Sequence, residues 1–352
     1  MTHTNPQKIL VIRLKGIGDV ILSTPLLRAL KKAYPKAQVH FLTRAASAPL
    51  LQHDPLVEKV WVHPEKKAPL GDLLQFLSDL RAEKFDWTLD LAAEPRSAWL
   101  TLLSGAPLRA GFDIRLRRWA FNHRIPPRRY ERRYQVEVLL DLLRGLGIEG
   151  DGIDTRIALG PGDLEWARGQ WAGGELGAQR KKIGLNPTGT WPSKRWPADH
   201  WRRLALKIYE RWNVKPVLVG GPGDGALLDE VAWGIGDQVL RVPSTGLLQA
   251  AAFLSQMDLL IGNDGTPQHL AQAFGVPSLT LCGPHWGLSW VKPQDPRHLY
   301  LQHFLDCGPC DLNVCPHPRH AQAGGHYQQE CMVRIGPDKV FAAAQGLLGL
   351  PS

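Results

Sequence analysis

Along this chain short apolar runs alternate with stretches of helical spacing, and glycine or proline stands at the joints. The first run, residues 8–14 (KILVIRL), has the unbroken apolar character of a strand covered on both faces. Gly16-Ile17-Gly18-Asp19 follows as a tight turn, and a helical pattern covers 20–33 until Pro35 stops it. Residues 38–43 form the next apolar run, which completes a strand–helix–strand unit of ordinary length. The alternation goes on through a strand near 60–62, a helix at 70–83, a strand at 86–91 and helices at 97–104 and 135–146. This pattern predicts a doubly wound parallel sheet.

Residues 147–162 break the rhythm with five glycines, a proline and several acids, and read as an interdomain linker. The alternation then restarts. Residues 182–186 and 216–219 read as strands, with a helix between them that starts at Pro197 and ends near Trp212. A Gly-Gly-Pro-Gly turn at 220–223 leads to a helix from Leu227. Strands near 239, 259–261 and 278–281 alternate with helices from Leu247 and over 266–274, and a last helix covers about 338–348. The expectation is two similar α/β domains, 1–160 and 161–352, with the terminal helix available to pack back on the first.

A length of 352 residues suits two such cores. Residues 1–8 lack the apolar stretch of a secretory leader, and no run approaches the roughly 18 apolar residues of a membrane span. A soluble cytoplasmic protein is expected. The net charge of +9 is unevenly placed. Between Pro107 and Arg133 lie nine arginines (109, 115, 117, 118, 124, 128, 129, 132 and 133) against Asp113 and Glu131, a net +7. This segment is either a solvated loop or a contact surface for a polyanion such as a phosphorylated substrate or anionic lipid headgroups. No helix-turn-helix, zinc-finger or RNA-binding signature accompanies the charge, so nucleic acid is not expected as a partner.

All five cysteines fall in the second half, and four of them, Cys307, Cys310, Cys315 and Cys331, are spaced C-x2-C-x4-C-x15-C. In a cytosolic chain that pattern raises a structural zinc or iron–sulfur site, with His317, His320 and His326 nearby. The spacing departs from paired C-x2-C ribbons, and reduced, packed thiols are the alternative.

Four segments place chemistry where a strand gives way to a helix, the position at which open α/β sheets bind ligands. In the first, Gly16 to Asp19, glycines let backbone amides approach an anion, and Asp19 is either a helix cap or a general base. A third glycine is missing, which argues against a dinucleotide fingerprint. In the second, residues 186–197 (NPTGTWPSKRWP), hydroxyls precede a basic pair in a manner suited to a diphosphate. In the third, Asp264, Gly265, Thr266 and His269 open a helix, with amides facing a phosphate and a carboxylate for sugar hydroxyls. In the fourth, Asp224 follows a glycine turn and suits ribose hydroxyls.

Taken together, the stretches KILVIRLKGIGDVILSTPLLRALK, LNPTGTWPSKRWPADHW and IGNDGTPQHLAQAFGVPSLTLCGP resemble glycosyltransferase family 9, the heptosyltransferases of lipopolysaccharide core assembly. The likeness spans nearly the whole chain, including the late cysteine-rich stretch that some members share. It implies a GT-B fold with two Rossmann-like domains facing across a cleft, an ADP-heptose donor, and an acceptor sugar carried on lipid A. It further implies inversion at the anomeric carbon with no metal and no other cofactor, and the sequence has no Asp-x-Asp motif.

By position, the resemblance assigns Asp19 as catalytic base. It assigns Gly18, Thr188, Thr190, Lys194, Asp224, Asp264, Gly265, Thr266 and His269 to the donor. Arg115, Arg117 and Arg118 are expected to meet acceptor phosphates or carboxylates and to bring the enzyme to the inner membrane surface. Many members read Asp-Ser/Thr-Gly at the third motif, whereas this chain reads Asp264-Gly265-Thr266, which leaves the donor sugar more open than the nucleotide diphosphate. The rival readings are a GT-B transferase or epimerase acting on another nucleotide sugar, and a non-catalytic polyanion- or membrane-binding relative.

Overall fold

The computed structural model describes residues 5–350 apart from 66, 93, 128–131, 243–244 and 317–328. Arg128, Arg129, Glu131, His317, His320 and His326 therefore lie outside the described residues. The chain divides into two units, Met1–Ala158 and Leu159–Ser352.

The first unit is one six-stranded parallel sheet. Its strands are β1 (Lys8–Ile12), β2 (Gln38–Thr43), β3 (Lys59–Val62), β4 (Trp87–Asp90), β5 (Leu108–Phe112) and β6 (His123–Ile125), in the order β3-β2-β1-β4-β5-β6. Strand order reverses between β1 and β4, so the carboxyl ends of those two strands flank the position where ligands bind in such sheets. β1 is almost wholly buried, as its unbroken apolar run requires.

The helix after β1, Ile17–Ala33, contains Pro25, which cannot donate to the carbonyl of Ile21. The Thr24 hydroxyl donates to that carbonyl at 2.8 Å and so satisfies it from within the same turn. The glycine-rich linker is largely tied to this unit. Lys32 pairs with Asp151 at 2.7 Å, Arg156 pairs with the buried Asp54 at 2.8 Å, and Ile148 and Ile157 are buried.

β5 and β6 lie within the arginine-rich segment, which therefore is not one continuous loop. Arg109 donates to the carbonyls of Ala120 and Ala106, Arg124 to those of Arg118 and Phe121, and Arg133 to Asp141. These three arginines hold the edge of the sheet together. Arg115, Arg117 and Arg118 occupy the turn between β5 and β6, where Arg118 pairs with Asp113 at 3.2 Å.

The second unit repeats the topology. Its parallel sheet holds β7 (Ile183–Asn186), β8 (Val217–Leu218), β9 (Leu240–Arg241), β10 (Leu259–Asn263), β11 (Ser278–Cys282) and β12 (His298–Gln302) in the order β12-β11-β10-β7-β8-β9. Strand order here reverses between β7 and β10. One core gathers Leu185, Ile261 and Leu281 from the strands with Trp201, Leu204 and Ile208 from the helix Ala198–Trp212. Val340, Phe341 and Ala344 of the terminal helix Pro337–Leu347 belong to the same core.

Candidate active site

In the first unit β1 ends at Ile12, and the next side chain, Arg13, turns inward. Its backbone is held to β2, because Arg13 N donates to Leu42 O at 2.9 Å and the Thr43 hydroxyl donates to Arg13 O at 2.9 Å. Its guanidinium donates to the carbonyl of Leu91, just past β4, and Nη2 donates to Asp19 Oδ1 at 2.6 Å. The reversal point between β1 and β4 therefore carries a buried arginine that orients a half-buried carboxylate.

Asp19 is not the first residue before the helix. The helix starts at Ile17, earlier than the apolar spacing predicts, and Asp19 is its third residue. Its second oxygen accepts the Gly16 amide at 3.2 Å, closing the first turn from inside, while Gly18 contributes one of the turn's unpaired amides.

Beside this loop lies a cavity of about 300 Å³ lined by Leu14, Arg44, His63 and Arg96. Burial lowers the pKa of His63, the bond to the Pro64 carbonyl opposes that shift, and the two arginines lower it further. Two guanidiniums against the single carboxylate of Glu65 leave the cavity lining net positive, which suits anionic groups. None of Arg13, Arg44, His63 and Arg96 follows from motif reading alone. The one signal was an arginine at the end of an otherwise apolar strand.

In the second unit, β7 runs out at Asn186, whose side-chain amide donates to both Thr188 Oγ1 and Val219 O at 2.9 Å. That bridge sets Thr188 beside the end of β8. The glycine turn follows there, and a Cβ added at Gly220 would touch both Thr188 and Asp224. Asp224 directly precedes the helix Gly225–Ala232, and its Oδ2 accepts the Gly221 amide at 2.8 Å. Thr190 is exposed on the same loop as Thr188.

Lys194 ends a short helical turn, Pro192–Lys194, and its ammonium reaches Asp264 Oδ2 at 2.8 Å. Asp264 directly follows β10, next to Gly265 and the helix Thr266–Phe274. The structure thus brings Thr188, Lys194, Asp224, Asp264, Gly265 and Thr266 to adjoining strand ends around the β7–β10 reversal. His269 is buried one turn into the helix.

His285, which motif reading overlooked, completes the cluster. Its Nδ1 lies 3.1 Å from Asp264 Oδ2, and its ring packs between Trp191 at 4.7 Å and Trp290 at 5.6 Å. Burial alone would raise the Asp264 pKa. The hydrogen bond from His285 and the charges of Lys194 and His269 outweigh it and hold the carboxyl well below the usual carboxylate range. A buried carboxylate is tolerated only when paired in this way.

The cysteines separate into two kinds. Cys282 is wholly buried at the end of β11, and burial pushes its thiol up. Cys307, Cys310, Cys315 and Cys331 instead line one cavity, and none of the five is in a disulfide. Burial, then Cys315, Cys310 and Cys307, push the Cys331 thiol up to about 12. Among the described residues, no three His, Cys, Asp or Glu side chains are grouped closely enough to hold one metal ion.

The profile of glycosyltransferase family 9 (heptosyltransferase) matches residues 73–317, well over half of the chain. The chain belongs to glycosyltransferase family 9. It is therefore a glycosyltransferase. Lipopolysaccharide heptosyltransferase 3 of Escherichia coli is 26% identical over 290 residues, covering 78% of this chain and 82% of the relative. A family 9 transferase from Veillonella parvula superposes with a TM-score of 0.80 at 23% identity, covering 97% of both chains. The Escherichia coli ADP-heptose lipopolysaccharide heptosyltransferase II superposes at 0.75 and 23% identity, covering 97% of this chain and 98% of the other. The fold is GT-B. No described helix is long and apolar enough to cross a membrane.

Proposed function

We propose that this family 9 transferase moves heptose from ADP-heptose to the inner core of a lipopolysaccharide built on lipid A, inverting the anomeric centre without a metal. The observation that carries the donor side is the Lys194–Asp264–His285 cluster at the β7–β10 reversal. A buried carboxylate that stays ionised is a strong acceptor for sugar hydroxyls. Lys194, the amides of Gly265 and Thr266 and the Thr188 hydroxyl present positive charge and donors to a diphosphate, with Asp224 beside Thr188 for ribose. The heptosyltransferase relatives supply the particular sugar and nucleotide of this reading.

In this reading Asp19 takes the proton of the acceptor hydroxyl as the bond to the anomeric carbon forms and the bond to ADP breaks. Arg13 holds the carboxylate in one orientation and the Gly16 amide fixes its second oxygen, so the base meets its hydroxyl in a set geometry. The negative charge that develops on the departing diphosphate is met by Lys194 and the helix N-terminus. Arg44 and Arg96 would receive anionic groups of the acceptor in the cavity beside Leu14.

Membrane contact falls to the turn that carries Arg115, Arg117 and Arg118. It also exposes Leu116 and Trp119, and the Trp119 ring stands 4.5 Å from that of Trp99, itself exposed. Tryptophan with arginine is the composition that settles at a lipid headgroup boundary.

Turnover with ADP-heptose and a panel of truncated lipopolysaccharide cores tests the reading. Release of ADP that depends on both one such core and the heptose donor supports it. Equal or greater turnover with another nucleotide sugar contradicts the donor assignment.

A further inference from the structure

The donor cluster is assembled from pieces far apart in the sequence, because Lys194 sits on the loop after β7 and Asp264 follows β10. The backbone of Asp264 is set by the sheet, since its amide donates to Leu281 O on β11 at 3.2 Å. The loop that carries Lys194 lies outside the sheet and needs a fixture of its own. Asn263, the last residue of β10 and the one before Asp264, is wholly buried and supplies it. Its Nδ2 donates to the carbonyls of Pro187 at 2.7 Å and Thr188 at 3.2 Å, and its Oδ1 accepts the Trp196 amide at 3.1 Å.

Those partners stand at the two ends of the loop, so one carboxamide closes residues 187–196 onto β10. The task requires donors and an acceptor on one short stem. A carboxylate could not donate to the two carbonyls, and an apolar side chain would leave all three backbone groups without this partner. Other anchors hold the loop elsewhere. The Ser193 hydroxyl donates to Leu312 O at 2.7 Å and the Trp196 indole to Ile335 O at 2.8 Å, but neither partner belongs to the strand that leads into Asp264.

We infer that Asn263 is a positioning residue for the donor diphosphate: it ties the Lys194 loop to the strand end that presents Asp264, so ammonium and carboxylate are held in a set geometry. The Thr188 hydroxyl is fixed separately, by Asn186 Nδ2 at 2.9 Å, so loss of the Asn263 amide falls mainly on Lys194. A site held in this way binds more tightly, because no loop has to be ordered when the ligand arrives. The inference rests on the proposed meeting of Lys194 with the diphosphate.

The test is a double-variant cycle on the full chain, read by calorimetry of ADP binding at a temperature where melts show each protein folded. Asn263→Leu keeps the branching of the side chain and removes all three bonds. It should weaken ADP binding about tenfold, the size of one hydrogen bond to a charged group, and leave the acceptor KM within about twofold. In a Lys194→Ala background the same change should cost less than about twofold, because the group it positions is gone. A merely structural Asn263 would lower the melting temperature and leave ADP affinity unchanged, which overturns the inference, as do losses that add in full. Unchanged ADP affinity in Lys194→Ala alone instead contradicts the placing of the diphosphate on which the inference stands. If Asn263→Leu does not fold, hydrogen exchange of the Trp196 amide in the ligand-free wild-type protein decides. Exchange slowed at least about a hundredfold relative to an unstructured amide supports the clamp, and anything faster overturns it.

Discussion

Lys194 Nζ stands 2.8 Å from Asp264 Oδ2, with both side chains largely removed from solvent. The lysine expected to meet the donor diphosphate thus already has a carboxylate partner, and its replacement has two consequences. Lys194→Ala should weaken ADP binding by about 1–3 kcal/mol, the range for losing a hydrogen bond to a charged group. It should also lower the melting temperature, because Asp264 keeps only its histidine neighbours. In Lys194→Ala/Asp264→Asn the melting temperature should recover while ADP affinity does not. Calorimetry and thermal melts of the two proteins check this, and unchanged ADP affinity in Lys194→Ala removes the lysine from the site.

In the proposed reading His285 acts on the sugar through Asp264. His285→Ala should raise the KM for the nucleotide sugar several-fold and leave the Kd of ADP within about twofold, since ADP lacks the transferred sugar that Asp264 is proposed to hold. Equal losses for both ligands would assign His285 to the diphosphate instead.

Much of the fold was legible because burial on two faces leaves an unbroken apolar signature, as in β1 and β10. β5 and β6 escaped because they are a peripheral pair whose arginines serve neighbouring carbonyls, and charge at a sheet edge reads as a loop. Asp264 was legible as a strand-end residue, and Lys194 as part of a basic pair ahead of a helix. Arg13 and His285 were not, because each acquires its role from a partner, Asp19 or Asp264, that only the folded chain brings within reach.

Two basic regions separate by ligand. Arg96→Ala, in the cavity beside Leu14, should raise the acceptor KM and leave vesicle binding intact. Arg115→Glu with Arg117→Glu should weaken binding to anionic vesicles most at low salt, where charge is least screened. Trp99→Ser with Trp119→Ser should weaken it at every salt concentration, because burial of apolar surface is not screened. Co-sedimentation across a salt series separates these outcomes, and vesicle binding unaffected in both the arginine and the tryptophan variants leaves the turn a solvated surface.

His298 on β12 supplies a pH dependence. Burial lowers its pKa to about 4, with Asp295 opposing and Arg297 and Lys292 adding to the shift. The unfolded chain takes up this proton near pH 6.5 and the folded one only near 4. The stability from the neutral ring is therefore complete above about pH 6.5 and is lost as pH falls toward 4. Melting temperatures between pH 7 and 4 should decline, and His298→Gln should flatten that decline. An equal slope in the variant would assign the acid sensitivity elsewhere.

Asp19 carries the central claim, because a base and a structural carboxylate respond differently to the same change. Asp19→Asn keeps one acceptor oxygen, enough for either the Gly16 amide or Arg13, and it removes both proton acceptance and the charge opposite a buried guanidinium. The melting temperature should fall by the equivalent of about 1–3 kcal/mol for the weakened charged hydrogen bond. ADP affinity should stay within about twofold. The decisive measurement is turnover of ADP-heptose by Asp19→Asn with a saturating acceptor, at a temperature where melts show the variant fully folded. The account predicts a fall of roughly 10²–10⁴-fold, the usual worth of a positioned base. Turnover within a few-fold of the wild-type enzyme would contradict it and leave Asp19 as the partner of Arg13 alone.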